Sequence, residues 1–589
     1  ADDEYILNFK AGSGGFFHNT VVTVAADNTT PLTRCVNVNG ADAQALVGTA
    51  LVINNWIQDC AAGLGDRGTL ANVDGLDNGT INPVFADLDA NLASQAPEAV
   101  ITAIDWNAVN TALPESTANP DFLDSVPFIG AVSPSGTNVW WAGWTVEGTL
   151  GVPEIAEPTC PTGTTEVSTG VCQLPANIGF NLTLNAGVEY LMVGRVSVGN
   201  GNEEIQADGA LAGGTPVANV TLTIEPGVEI KGKTGTFANL VVTRGSKIEA
   251  LGTKSAPIIF SSDDEGYDGA GEWGGLILHG YAPHNECADG GTVCNIDSEG
   301  ESGFAGGYDP ADDSGTLRYV IVAEGGYEFA PGNEINGISL VGVGNGTEID
   351  YVQVQGNSDD GIEFYGGTVN VKHGVFTNNL DDSVDWDEGY QGNLQYIIVK
   401  QSASGSGEAF EMDTQGTNLF LSKPTVANLT IVADKKDADD AYILNFKAGS
   451  GGFFHNAVVT VAATNTTPLT TCVNVAGADS EALVGTALVL NNWIQDCAAD
   501  AADQGTLSSA NVNFDVTTIN AVPAQLGSLY ESLAPEALLA QPIDWTAVNA
   551  TYAESVADET YLDATDYLGA VKPDGSDPWW AGWVLPGTL

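Results

Sequence analysis

The chain has 589 residues, enough for several domains or one elongated one, and a formal charge of −59 with only 17 Lys and Arg. So acidic a surface makes nucleic acid and anionic membranes poor partners and attracts hard cations such as Ca²⁺. A composition rich in Gly, Thr, Asn, Asp and Val, with 2 Met, suits short strands joined by many turns rather than helix bundles.

The first segment, residues 1–150, opens with "ADDEYILNFKAGSGGFFHN" and is repeated by residues 438–589, which open with "ADDAYILNFKAGSGGFFHN". Over the first 62 aligned positions the two copies differ at 8. Further on the landmarks persist, "AIDWNAVN" against "PIDWTAVN" and "WWAGW" in both. The parsing is that 1–150 is the tail of one module, its last coils plus a cap. Residues 151–177 then form a linker closed by a disulfide, and a complete module follows. Within that module 178–472 is expected as the body and 473–589 as the last coils and cap.

Eight cysteines fall into local pairs: Cys35/Cys60, Cys160/Cys172, Cys287/Cys294 and Cys472/Cys497. None has zinc-ligand spacing and no His cluster accompanies them, so four disulfides in an oxidising compartment are expected. No apolar run is long enough to span a membrane, and an exported, extracellular or surface location follows. Ala1 is expected to be a processed end or a cut within a longer chain.

Residues 178–260 hold short period-2 strands punctuated by Gly and Pro, among them "VTLTIEPGVEIKG" and "NLVVTRGSKIEALG". Beyond them five hexads align: "INGISL" (335–340), "DDGIEF" (359–364), "DDSVDW" (381–386), "GEAFEM" (407–412) and "DDAYIL" (439–444). Fixed strands with turns of uneven length are what a parallel β-helix produces, an all-β fold. The fourth and sixth residues of each hexad are predicted to stack inside: Ile338/Leu340, Ile362/Phe364, Val384/Trp386, Phe410/Met412 and Tyr442/Leu444.

These motifs, together with "EWGGLILHG", "SGTLRYVIVAEGG", "YVQVQGNSDDGIEFYGGTVNVKHGVF" and the closing "WWAGW", resemble secreted bacterial right-handed parallel β-helix proteins. That group consists largely of uncharacterised surface or exported proteins and shares its fold more distantly with pectate lyases and polygalacturonases. The resemblance covers most of 178–436 and both tails. It implies fold and location rather than mechanism.

The fifth hexad position points outward, which sets Glu363, Asp385 and Glu411 in one column a rung apart, about 4.8 Å. Asp359/Asp360 and Asp381/Asp382 stack beside it. Two carboxylates at that spacing repel by about 3–4 kcal/mol at an effective dielectric near 20. The relief is, in descending order of expectation, solvation, Ca²⁺ held between rungs, or a catalytic role. A second acidic turn, "SSDDEGYDGAG", offers Asp263, Asp264 and Asp268 as a weaker Ca²⁺ candidate.

Acid pairs on a β-helix also suit glycoside hydrolysis. Cleavage of acidic sugars needs Arg or Lys, however, and Arg34, Arg67, Arg195, Arg244 and Arg318 are scattered over the sequence. His373 in "KHG" superficially resembles the Gly-His-Gly of polygalacturonases, without their Arg-x-Lys companion. His18 and His455, in the duplicated "FFHN", are expected to cap a turn or pack on Phe, and the Trp-rich "WWAGW" to clasp the helix. The coil at Tyr5–Leu7 repeats one that rests on earlier coils, so its lower face should need a partner. The expected function is a non-enzymatic subunit of an extracellular filament or surface fibre of end-to-end modules, partnered by itself, with Ca²⁺ as possible cofactor and no organic one. The alternatives are a carbohydrate-active or carbohydrate-binding protein and an adhesin stalk, with surface glycans as partners.

Overall fold

The structure, a computed structural model, describes residues 5–23, 34–59, 81–82, 88, 92–120, 122–134, 140, 159–329, 334–402, 407–415, 419–434, 442–465, 472–496, 519–520 and 526–589. The chain forms two compact units, Ala1–Glu157 and Pro158–Leu589.

The second unit is a right-handed parallel β-helix. One face is a ten-stranded parallel sheet that gains a strand per coil, from Asn177–Ile178 to Val473–Val475. The hexads lie on this face in the expected register: Ile338 opposite Ile362, Ile362 opposite Val384, and Val384 opposite Phe410. Their sixth positions form a second row, Leu340, Phe364, Trp386 and Met412. All eight side chains are buried in one continuous core.

The fifth hexad needs a correction. Phe410 pairs with Leu444, and Met412 with Phe446, so the true rung is Leu444–Phe446, two residues later than "DDAYIL" implies. Leu444 and Phe446 occupy the ladder, while Tyr442 is half-buried outside it. The leading Asp pair mimicked the earlier hexads, but burial of two apolar residues per rung decides the register.

The remaining faces are built from long strands: Gly315–Ala323, Glu348–Gln355, Asn370–Thr377, Asn393–Lys400, Thr425–Ala433, Gly452–Val461 and Leu488–Asp496. Each bends at one internal non-glycine residue of positive φ: Tyr319 (49°), Tyr351 (55°), His373 (51°), Tyr396 (60°), Asn428 (52°), Asn456 (60°) and Asn492 (54°). The flanking register places these residues opposite one another on successive rungs, so they form one corner. Asn and His are the residue types most often found in this conformation after Gly, whereas Tyr is uncommon there. Here the rings stack, with centroids 4.5 Å apart for Tyr319–Tyr351, 4.2 Å for Tyr351–His373 and 4.9 Å for His373–Tyr396.

A C-terminal strap crosses that corner. Going from the last rungs toward earlier ones, Gly569 N–H donates to Asn456 O (2.8 Å), Asp563 N–H to Gln395 Oε1 (2.8 Å) and Leu585 N–H to Gln353 Oε1 (2.8 Å). Trp579 and Trp583 are buried against the stacked rings, with indole N–H groups donating to Ala570 O and Trp579 O. The Trp-rich motif here is a clasp, as expected; in the first copy Trp141 and Trp144 lie outside the described residues.

Residues 159–177 are more than the linker expected. Cys160 and Cys172 are disulfide-bonded, and Val171–Gln173 pairs in parallel with Glu189–Met192, which puts Cys172 at the base of the core. Across the expected boundary at 472/473 the ladder simply continues, Leu444 pairing with Val473.

In the first unit Tyr5–Lys10 pairs with Arg34–Asn39, and Gly15–Thr23 with Leu51–Asp59, both in parallel. Within this unit Asn19 and Asn55 make a corner of the same kind, at φ 54° and 49°. A short helix, Trp106–Ala112, is capped by Asp105, whose Oδ1 accepts from Asn107 N and Ala108 N. Its counterpart in the second unit, Trp545–Thr551, is capped by Asp544.

Candidate cation site

Strand alternation directs Glu363, Asp385 and Glu411 away from the core, each paired with the next across a rung. The solvation first expected holds only at the margins, where Asp381 is exposed and Asp359 and Glu411 are half-buried, and not in the middle of the column. Glu363 is 7% exposed, Asp385 8%, and their neighbours Asp360 and Asp382 7% and 4%. The turns that lead into each rung wall the column in, forming a polar cleft of ≈370 Å³ in which eight of the ten lining residues are carboxylates. Tyr442 and Asn445 complete the lining.

The second Asp of each leading pair also has a local task. Asp360 Oδ1 accepts from Asp382 N (3.0 Å), and Asp382 Oδ1 accepts from Glu408 N. Each carboxylate thereby caps the turn one rung further on. Glu363 Oε2 accepts from Asn336 Nδ2 and from the Tyr365 hydroxyl. At the other end Lys447 Nζ lies 2.7 Å from Glu411 Oε1. Asp385 Oδ1, buried in the middle, meets no hydrogen-bond donor.

Burial pushes the carboxyl groups of Asp360, Asp382 and Asp385 well above the usual carboxylate range, and the neighbouring carboxylates add to it. The largest of these neighbours is Asp385 for Asp360, Asp360 for Asp382 and Glu363 for Asp385. Lys447 moves the opposite way for an ion: burial works against its charge, yet Glu411 and the acids behind it hold its pKa above the ordinary value.

Three carboxylate triads have ligand oxygens within 4.8 Å of one another: Asp359–Asp360–Asp381, Asp360–Glu363–Asp385 and Asp382–Asp385–Glu411. Such all-oxygen sets could hold a metal ion. Seven of the ten residues singled out as ligands in the sequence thus come together here. The other three do not join them or form a triad among the described residues. Asp263 is tied to Lys233 Nζ (2.6 Å), Thr234 N (2.8 Å) and Thr234 Oγ1 (2.7 Å), while Asp264 and Asp268 are exposed. Glu408 and Tyr442 are cleft residues that the hexad pattern did not flag.

The scattered cations serve elsewhere. Arg244 is buried and donates to the carbonyls of Gly201, Glu203, Cys294 and Gly306, Arg195 to those of Gly300 and Glu301, and Arg318 pairs with Glu348. Arg34 begins a strand of the first unit, and Arg67 lies outside the described residues. His373 sits in the aromatic corner, its Nδ1 2.7 Å from Asp350 Oδ1. His455 packs edge-on against Trp545 at 5.4 Å and His18 against Trp106 at 5.6 Å, so tryptophan takes the place expected for Phe.

Cys287 and Cys294 are disulfide-bonded, and Cys35 and Cys472 are bonded too, their expected partners Cys60 and Cys497 lying outside the described residues. These bonds point to an oxidising compartment. No helix among the described residues is long and apolar enough to cross a membrane.

A parallel β-helix with an acidic cleft along one face defines the class of protein. Within that class, the model of the pectate-lyase-like β-helix domain matches residues 178–583, and the chain belongs to this family. Comparison with curated proteins finds no match, and neither does comparison with solved structures.

Proposed function

We propose that the protein is a non-enzymatic structural β-helix that works outside the cell as a building unit of a filament or surface fibre, its modules stacking coil on coil. The observation that carries this reading is one sequence in two environments. In the second unit "YILNFKAGSGGFFHN" is a covered coil, with Ile443, Leu444, Phe446, Phe453 and Phe454 all 0% exposed. In the first unit the same words leave Ile6 42% exposed and Leu7, Phe16 and Phe17 half-buried. Such a face fits a coil like that of residues 407–433, on which its twin rests through Phe410 and Met412. Ca²⁺ is the cation this reading gives to the acidic cleft, where it would stiffen the stack. Against cleavage of acidic glycans, none of the described arginines lines that cleft.

The test is electron microscopy and light scattering of the full chain at rising concentration with Ca²⁺. End-to-end assemblies that Ile6→Asp abolishes support the proposal. Globular, monodisperse particles at every concentration overturn it, and Ca²⁺-dependent products from a polysaccharide panel would favour the enzyme.

A further inference from the structure

The triads of the cleft overlap. Asp385 belongs to two of them, Asp360–Glu363–Asp385 toward the earlier rung and Asp382–Asp385–Glu411 toward the later one. It is also more than nine-tenths buried, at 8% exposure, and its Oδ1 meets no hydrogen-bond donor. A buried carboxylate oxygen without a donor costs several kcal/mol unless something positive meets it. Among the described residues, the ammonium of Lys447 at the end of the column is already engaged by Glu411.

We propose that Asp385 bridges two Ca²⁺ ions, one held with Asp360 and Glu363 and the other with Asp382 and Glu411, so that the cleft is a paired cation centre tying three successive rungs together. The inference rests on reading the cleft as a cation site and is independent of whether the modules assemble. The donor chemistry selects the ion. Oxygen-only sets without His or Cys disfavour zinc and copper. Three carboxylates per ion, supplied by two different rungs, suit the high and flexible coordination of Ca²⁺ better than Mg²⁺, which keeps its waters and takes one or two carboxylates. Each ion spans one rung-to-rung gap, and the shared Asp385 makes the second ion depend on the ligand that holds the first. Asp360 and Asp382 fit the same scheme, because each spends one oxygen on capping the next turn.

Equilibrium dialysis of the full chain against about 1 mM Ca²⁺, where extracellular calcium modules fill, counts the ions by difference between variants. Asp385→Asn keeps the shape and removes a repelling charge, and its melting in chelator shows that the fold is retained. The expected result is that Asp385→Asn releases two Ca²⁺ per chain, while Glu363→Gln and Glu411→Gln each release one and leave the other. Release of a single ion by Asp385→Asn overturns the bridge and leaves a simple cation site. Release of none, with the cleft triads binding no Ca²⁺ in any variant, overturns the cation reading of the cleft as well.

Discussion

Replacing Ile443 and Ile6 by Ala, one at a time, compares the same side chain in the same stretch of sequence where it is covered and where it is exposed. Ile443 is fully buried in the main core, so its truncation loses the transfer free energy of the side chain and leaves a cavity. The expected cost is about 3–4 kcal/mol. Ile6, 42% exposed, forfeits only part of the transfer term and leaves no enclosed void, a cost of about 1 kcal/mol. Native-state hydrogen exchange read by mass spectrometry separates the two, because the peptides 1–23 and 438–461 differ in sequence and therefore in mass. Opening free energies should fall by the larger amount only in the second peptide. Equal losses at the two positions in dilute protein would refute the account, since they would mean either that Ile443 is not covered or that Ile6 already is. In concentrated protein the Ile6 penalty should rise toward that of Ile443 if coils meet end to end.

Trp583→Ala removes a buried ring from the clasp over Tyr319 and Tyr351, and should cost about 3–5 kcal/mol, seen as a lower melting temperature and earlier proteolysis within 526–589. Asp544→Ala deletes a helix cap and should cost about 1 kcal/mol by denaturant titration, with Asn restoring most of it. Burial holds His455 down to about 3, below its unfolded value near 6.5, so its contribution is full above about pH 6.5 and is lost as pH falls toward 3. His455→Gln should therefore flatten the acid limb of the stability–pH curve by up to about one proton, and an unchanged slope would show that His455 is not buried neutral.

Much of the fold is legible in the sequence because a β-helix rung carries its own mark, two apolar residues flanking an outward one. Four hexads are placed correctly by that mark alone. The fifth is misplaced because "DDAYIL" presents an Asp pair where the earlier rungs have one, and a polar match outweighed the apolar one. The corner is not legible at all: Tyr319 and Tyr351 occupy a conformation that residue type argues against, and their rings stack with each other and with His373 across rungs. The acidic column is legible as a column but not as a cleft. Alternation tells which side chains leave the core, whereas the turns that enclose them vary in length and sequence.

The strap sets an order of events on the growing chain. Leu585 N–H reaches Gln353 Oε1 across 232 residues, and Gly569 N–H reaches Asn456 O. The corner residues from Tyr351 to Asn456 can therefore stack, rung by rung, long before their outer cover has been synthesised. Coils can wind as they emerge, but the Tyr–His column stays bare until residues 563–585 arrive to cover it.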